Sequence, residues 1–144
     1  MATEDGVNAK ILALAGAIAS MSTDRVELAK DRVLFEQRLA SFMAAAQTVI
    51  DIHMENSFPN AHYVVKLSVE GGTKYLKIVR REFMKADGQP YGQGASVHCF
   101  VSTVDGSVLK AATWKAPAKH ARGNIFADDF GAGCMNPYGA AYLR

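Results

Sequence analysis

Apolar residues of the first third of the chain recur at helical spacing. Val7, Ile11, Leu14, Ile18, Met21, Arg25, Leu28, Arg32, Phe35, Leu39, Phe42, Ala46, Val49 and His53 step alternately four and three positions without a break. Such a series is a heptad seam, with polar residues only at Arg25, Arg32 and His53. Residues 7–56 contain no Pro and a single Gly, Gly16. Within them, Ser22-Thr23-Asp24 followed by Glu27 carries the signature of a helix restart, Asp24 capping and Glu27 at the third helical position. Two structures compete: one long helix that packs on a partner or a second copy, and a helical hairpin turning at 22–24. For residues 26–54 the simplest use of the stripe is to cover a sheet.

Near residue 57 the period falls from 3.6 to 2. Phe58-Pro59-Asn60 breaks the helix, and strand patterns follow at 61–70 and 73–83 around Gly71-Gly72, a two-residue hairpin signal. That turn pairs Glu70 with Thr73, Leu67 with Leu76 and Val65 with Ile78, so one face of the hairpin is apolar through to Tyr63. On the other face Lys66 meets Lys77, His62 meets Arg81 and Ser68 meets Tyr75. A loop at 87–94 leads to a second hairpin turning at Asp105-Gly106, with two or four residues in the turn, whose last strand runs to Trp114. The expectation is an α+β fold: a long N-terminal helix or helical hairpin over residues 1–56, then a four-stranded antiparallel sheet made of two hairpins within residues 57–144.

Charge sharpens the picture more by position than by sum. The 144-residue chain has a formal net charge of only +2, too mild by itself to name a partner. Acids lead at the N-terminus, whereas residues 66–122 hold most of the bases. A sheet face with Lys66, Tyr75, Lys77 and Arg81 has the makings of an anion platform with a ring for stacking; the plainer reading is a solvated face kept soluble by lysine. After Trp114, the only tryptophan, come Lys115, Lys119, His120 and Arg122. Pro117 suits the first position of a short helical turn and Gly123 its end, which makes the segment a weak phosphate-site candidate. Trp114, closing a strand, is expected to anchor the core.

Other chemistry is thin. Cys99 and Cys134 fit no metal spacing and read as reduced thiols, and an adjacent Asp128-Asp129 pair is an ordinary turn rather than a metal site. No cofactor or metal is expected. His98 and Cys99 are neighbours on a strand and point to opposite faces, so they form no nucleophile–base pair. No paired carboxylates or nucleotide fingerprint appear, so no enzyme is expected. Residues 7–21 are apolar, but Lys10 interrupts them. The run is also shorter than the roughly 20 residues that span a bilayer, and it lacks the basic start of a signal peptide. An oligomer interface through Val7, Ile11, Leu14, Ile18 and Met21 is the better expectation. Tyr138 and Tyr142 are expected to fold back onto the domain through a Pro137-Tyr-Gly turn.

The strings KYLKIVR, SVHCFVSTVDGSVLKAATWKAPAKHARGNIF and the final YLR resemble a group of small proteins encoded by tailed bacteriophages. These share a KYIKIV strand, then SVHxFV, then a WKAPAKxxR-type segment. The resemblance spans about residues 57–126, including FPNAHY. It departs in a shorter turn before SVLKAATW and in a longer helical N-terminus. It implies a viral origin and a compact module, located in the host cytoplasm or the virion, and supplies no chemistry. The leading expectation is a non-enzymatic module that binds nucleic acid or phosphate through Lys66, Tyr75, Lys77, Arg81, Lys115, Lys119, His120 and Arg122. Its rival is a structural or assembly protein of a phage particle that uses the heptad helix to form a homo-oligomer or to pack on an assembly partner. Neither involves a membrane.

Overall fold

A computed structural model describes residues 31–92 and 94–142. The 22–24 restart and the interface expected at residues 7–21 lie outside the described residues. The chain divides into two compact units, Met1–Gln37 and Arg38–Arg144. All that follows concerns the second unit, apart from the first turns of helix α1, which is described over 31–57 and ends ahead of Phe58-Pro59.

Five strands form an antiparallel sheet in chain order: β1 (Tyr63–Glu70), β2 (Tyr75–Met84), β3 (Ser96–Ser102), β4 (Ser107–Leu109) and β5 (Gly123–Asn124). A small separate hairpin follows, β6 (Met135–Asn136) and β7 (Gly139–Ala140). The class is α+β, with five strands where four were expected. The fifth arises because the segment after Trp114 does not coil into a helical turn. Ala118 and Arg122 donate their N–H groups to the carbonyls of Lys110 and Val108, which draws the chain back along β4 until Gly123 pairs with Val108. The residues between bulge outward, with His120 at a φ of 69°.

The first hairpin is offset by four residues from the expected register. Glu70 lies opposite Lys77, Lys66 opposite Arg81 and Val65 opposite Glu82. The cause lies beyond the hairpin. Thr103 donates its N–H to the Lys74 carbonyl, and its hydroxyl hydrogen-bonds the carbonyls of Thr73 and Lys74. The start of β2 is thereby committed to the end of β3, where Tyr75 pairs with Ser102, and no longer closes on β1. An even shift keeps each side chain on its face. It sets Glu70 opposite Lys77, while Lys66 still lies opposite a cation, Arg81, whose charge Glu70 offsets at 2.8 Å. In the second hairpin the turn has four residues, 103–106. Asp105 accepts the Ser107 N–H, a bond that holds its carboxyl below the usual range. Gly106 has a φ of 77°, and a Cβ there would sit 2.7 Å from the Phe126 ring.

The core lies on the Ile78 side of the sheet. Ile78 pairs with Cys99, and Leu76 with Val101, which in turn pairs with Val108, so Val65, Ile78, Cys99, Val101 and Val108 share one face by alternation, all buried. Helix α1 contributes Phe42, Ala46 and Ile50, each at most 1% exposed. The buried row follows the 3.6-residue period and takes Ile50 in place of the heptad's Val49. The C-terminal tail joins the helix there: His53 hydrogen-bonds the Tyr138 hydroxyl at 3.0 Å, and Arg80, two residues from Ile78, donates to the Pro137 carbonyl at 2.9 Å. Gln47 closes the edge of β1, its amide donating to Val65 O and accepting from Leu67 N. One side chain thus occupies edge groups that would otherwise template another strand.

Candidate functional site

Opposite the helix, the sheet carries Lys66, Tyr75, Lys77, Val79, Arg81, Phe83 and Phe100, related by the pairings Lys66–Arg81, Lys77–Phe100 and Ser68–Val79. The loop that follows β4 closes over this side. Ala111 bridges Pro117, and Ala112 and Thr113 both donate their N–H groups to the Ala116 carbonyl. The Thr113 hydroxyl accepts from the Lys115 and Ala116 N–H groups. Trp114 therefore stands at the tip of a tight, self-bonded turn. It is 44% exposed and is not the core anchor expected of a strand end, because β4 stops at Leu109 and leaves the indole no strand position from which to enter the core.

The Lys77 ammonium lies 4.0 Å from the centroid of the Trp114 ring. This cation–π contact fastens the loop to the sheet. Arg81 pairs with Glu70 at 2.8 Å and reaches the Ser68 hydroxyl, so half-exposed charges partly offset each other there. Tyr75 packs edge-on against Phe100 and carries the Lys74 ammonium over its ring. Lys66 is exposed. The structure thus gathers Lys66, Tyr75, Lys77 and Arg81 on one side and brings Trp114 to them, with Lys115 next to it on the same turn. Lys119 and His120 are exposed on the bulge before β5. Arg122 turns elsewhere: its guanidinium bonds the carbonyls of Lys119, His120 and Ala141. Lys110 likewise donates to the Ala140 carbonyl and covers the Tyr142 ring.

A groove of about 360 Å³ opens beside Trp114, bounded by Arg81, Phe83, Pro90 and Tyr91. The Phe83–Pro90 bridge and the bond from Tyr91 N–H to Glu82 O, 2.9 Å, hold its far wall against β2. Tyr91 stacks on Tyr63 with centroids 4.8 Å apart and planes 8° from parallel. The 87–92 loop carried no signal of this in the sequence beyond one exposed Tyr between Pro and Gly. A second opening, about 350 Å³, lies between the end of α1 and β1; Asp51 and Glu55 face Lys66 and Lys85 across it, a mixed charge that favours no single ion.

One imidazole and two thiols lie on or near β3. His98 is the extra residue where the β2–β3 register shifts, Ile78 pairing with Cys99 but Val79 with Val97. It is 2% exposed, and neither ring nitrogen meets a hydrogen-bond partner among the described residues. Burial, aided by the nearby Arg80 charge, lowers its pKa to about 4. Burial pushes the Cys99 and Cys134 thiols up, which keeps both in the unreactive protonated form. Asp129 spends its carboxylate on the N–H groups of Gly131 and Gly133. Among the described residues no group of three or more His, Cys, Asp and Glu is placed to hold a metal ion, and no helix is long and apolar enough to cross a membrane.

No curated protein and no solved structure matches this chain. A family model does match, over residues 19–141, and it takes in α1 together with the whole sheet and the β6–β7 hairpin. The chain belongs to that family, DUF7717, a family of unknown function.

Proposed function

We propose that this is a small phage-encoded protein that binds nucleic acid without catalysing a reaction, through the basic side of its sheet and the loop around Trp114. The observation that carries the reading is the Lys77 ammonium seated over the Trp114 ring. It joins the loop to a sheet side on which Lys66 and Arg81 also stand, so cations and an exposed indole share one surface. Cations contribute salt-sensitive affinity through counterion release, and an exposed ring offers a π-face to a base. Lys115, Lys119 and His120 extend the exposed basic surface along the same loop.

The test is retention of the full chain on DNA and RNA across a salt series. Binding that weakens steeply as salt rises supports the reading, and no retention at about 50 mM salt overturns it. The assembly reading rests on the heptad helix of residues 7–53 and is tested separately by mass in solution: a strict monomer at micromolar concentration sinks it. Both roles are compatible in one phage protein.

A further inference from the structure

We further propose that the free edge of β1 takes an extended peptide segment of alternating charge, added as a strand in the opening beside the end of α1. This goes beyond the nucleic-acid reading and shares only Lys66 with it. The register fixes which backbone groups are on offer. Lys66 lies opposite Arg81, and the Lys85 N–H donates to the His62 carbonyl. His62, Val64 and Lys66 therefore turn their backbone groups towards β2, and Tyr63, Val65 and Leu67 turn theirs to the open edge. Gln47 covers part of that edge, donating to Val65 O at 2.7 Å and accepting from Leu67 N at 2.9 Å. Its amide also donates to Asp51 at 2.9 Å, which holds it in place. A carbonyl and the N–H two residues on are the pair that one residue of a parallel neighbouring strand engages. Gln47 thus imitates one rung of an added strand. The next rung, Tyr63 O and Val65 N–H, meets no partner among the described residues.

Charge names the occupant. The free rung borders the opening of about 350 Å³, at the small end of the roughly 300–1,000 Å³ typical of ligand sites. Its helix side carries Asp51 and Glu55, one turn apart on α1, and its strand side carries Lys66 and Lys85. No ion pair among the described residues joins these four, so the opening holds opposite charges apart. Lys66 shares the sheet side of Arg81, away from the helix. Successive side chains of an added strand point to opposite faces. A basic residue then meets the acids of α1 and the acidic residue after it meets Lys66, whichever way the strand runs. A small anion leaves the two acids unpaired, whereas a polypeptide supplies both signs of charge and a backbone donor and acceptor at the spacing of the free rung.

The test follows the backbone amide signals of the isotope-labelled full chain by NMR at about 100 mM salt, as an end-capped peptide of about eight alternating Lys and Glu residues is added. Two control peptides have the same composition: one carries its Lys and Glu in separate blocks, the other is N-methylated throughout and cannot donate ladder bonds. The alternating peptide is expected to bind at least about tenfold more tightly than either control and to move the Val65 amide signal most. Glu55→Lys, at an exposed position of α1, is expected to weaken that peptide about tenfold. Equal binding of all three peptides would show charge attraction without strand addition and overturn the proposal. No binding at about 1 mM peptide does the same. If dilution of the chain, and not the peptide, moves the Tyr63 and Val65 signals, the occupant is a second copy and the peptide proposal falls. The peptide comparison needs no variant, so a misfolded Glu55→Lys does not shield it. Its failure leaves the nucleic-acid reading to the salt series above.

Discussion

The two sides of the sheet use the same residue types for opposite ends. On the helix side, Arg80 donates to the carbonyl of Pro137, and beside it Lys110 and Arg122 donate to those of Ala140 and Ala141. These cations are fasteners that tie the C-terminal tail to the sheet and satisfy backbone groups that would otherwise lack partners. On the loop side, Lys77 covers a ring, Arg81 holds a half-exposed acid, and Lys66 faces solvent. A count of bases over residues 66–122 treats both groups alike. What separates them is the partner each side chain meets, and only the second group keeps charge on offer.

Breaking the helix side has the largest consequence. Phe42 is fully buried, and Phe42→Ala removes a ring from the layer that includes Ala46 and Ile50. A loss of about 3–5 kcal/mol is expected, read from the shift in urea midpoint. The next effect is pH-dependent and comes from His98. Unfolded, its imidazole takes a proton near pH 6.5; folded, it holds off until about 4. Between those values the unfolded chain binds more protons. The stability associated with neutral His98 is therefore complete above about pH 6.5 and declines as pH falls towards 4, by about 3 kcal/mol in all. His98→Leu removes two buried nitrogens that meet no partner among the described residues and is expected to flatten this part of the acid limb. Equal acid loss in both proteins would show that another group titrates. The smallest effect belongs to the loop side: Trp114→Ala is expected to change stability by under about 1 kcal/mol, the scale of an exposed cation–π contact. A larger loss in the same denaturation assay would make Trp114 a structural residue and erase the contrast between the two sides.

How much of this was visible in the residue string depended on the range of the contacts involved. The change of period near residue 57, the Phe42–Ala46 row and the division of the first hairpin into an apolar and a basic face are local patterns. They survived even a four-residue error in register, because an even shift preserves the faces. The register itself was set by Thr103, some thirty residues away from Thr73 and Lys74, and no local turn rule contains that. Gln47 closing the β1 edge and the fifth strand formed by Gly123–Asn124 are likewise long-range pairings of residues with no periodic signature. Pro117 and Gly123 are helix punctuation by local preference, yet the backbone bonds to Lys110 and Val108 outweigh that weak preference. For the candidate site, Lys66, Tyr75, Lys77 and Arg81 were grouped from alternation alone. The 89–92 loop joins that region by pairing with β2, a long-range contact that no local pattern announces.

The contrast between fastening and available cations is tested most directly by the salt dependence of binding. The slope of log affinity against log salt counts the phosphates a surface neutralises, about 0.7 per contact on a single strand. Measured with the full chain and oligothymidylate, Lys66→Ala and Lys77→Ala are each expected to reduce the slope by about 0.7, whereas Lys110→Ala, which removes the same charge from the tail side, leaves it unchanged. Equal slopes for all three variants and the parent chain, or a reduction confined to Lys110→Ala, would contradict the account.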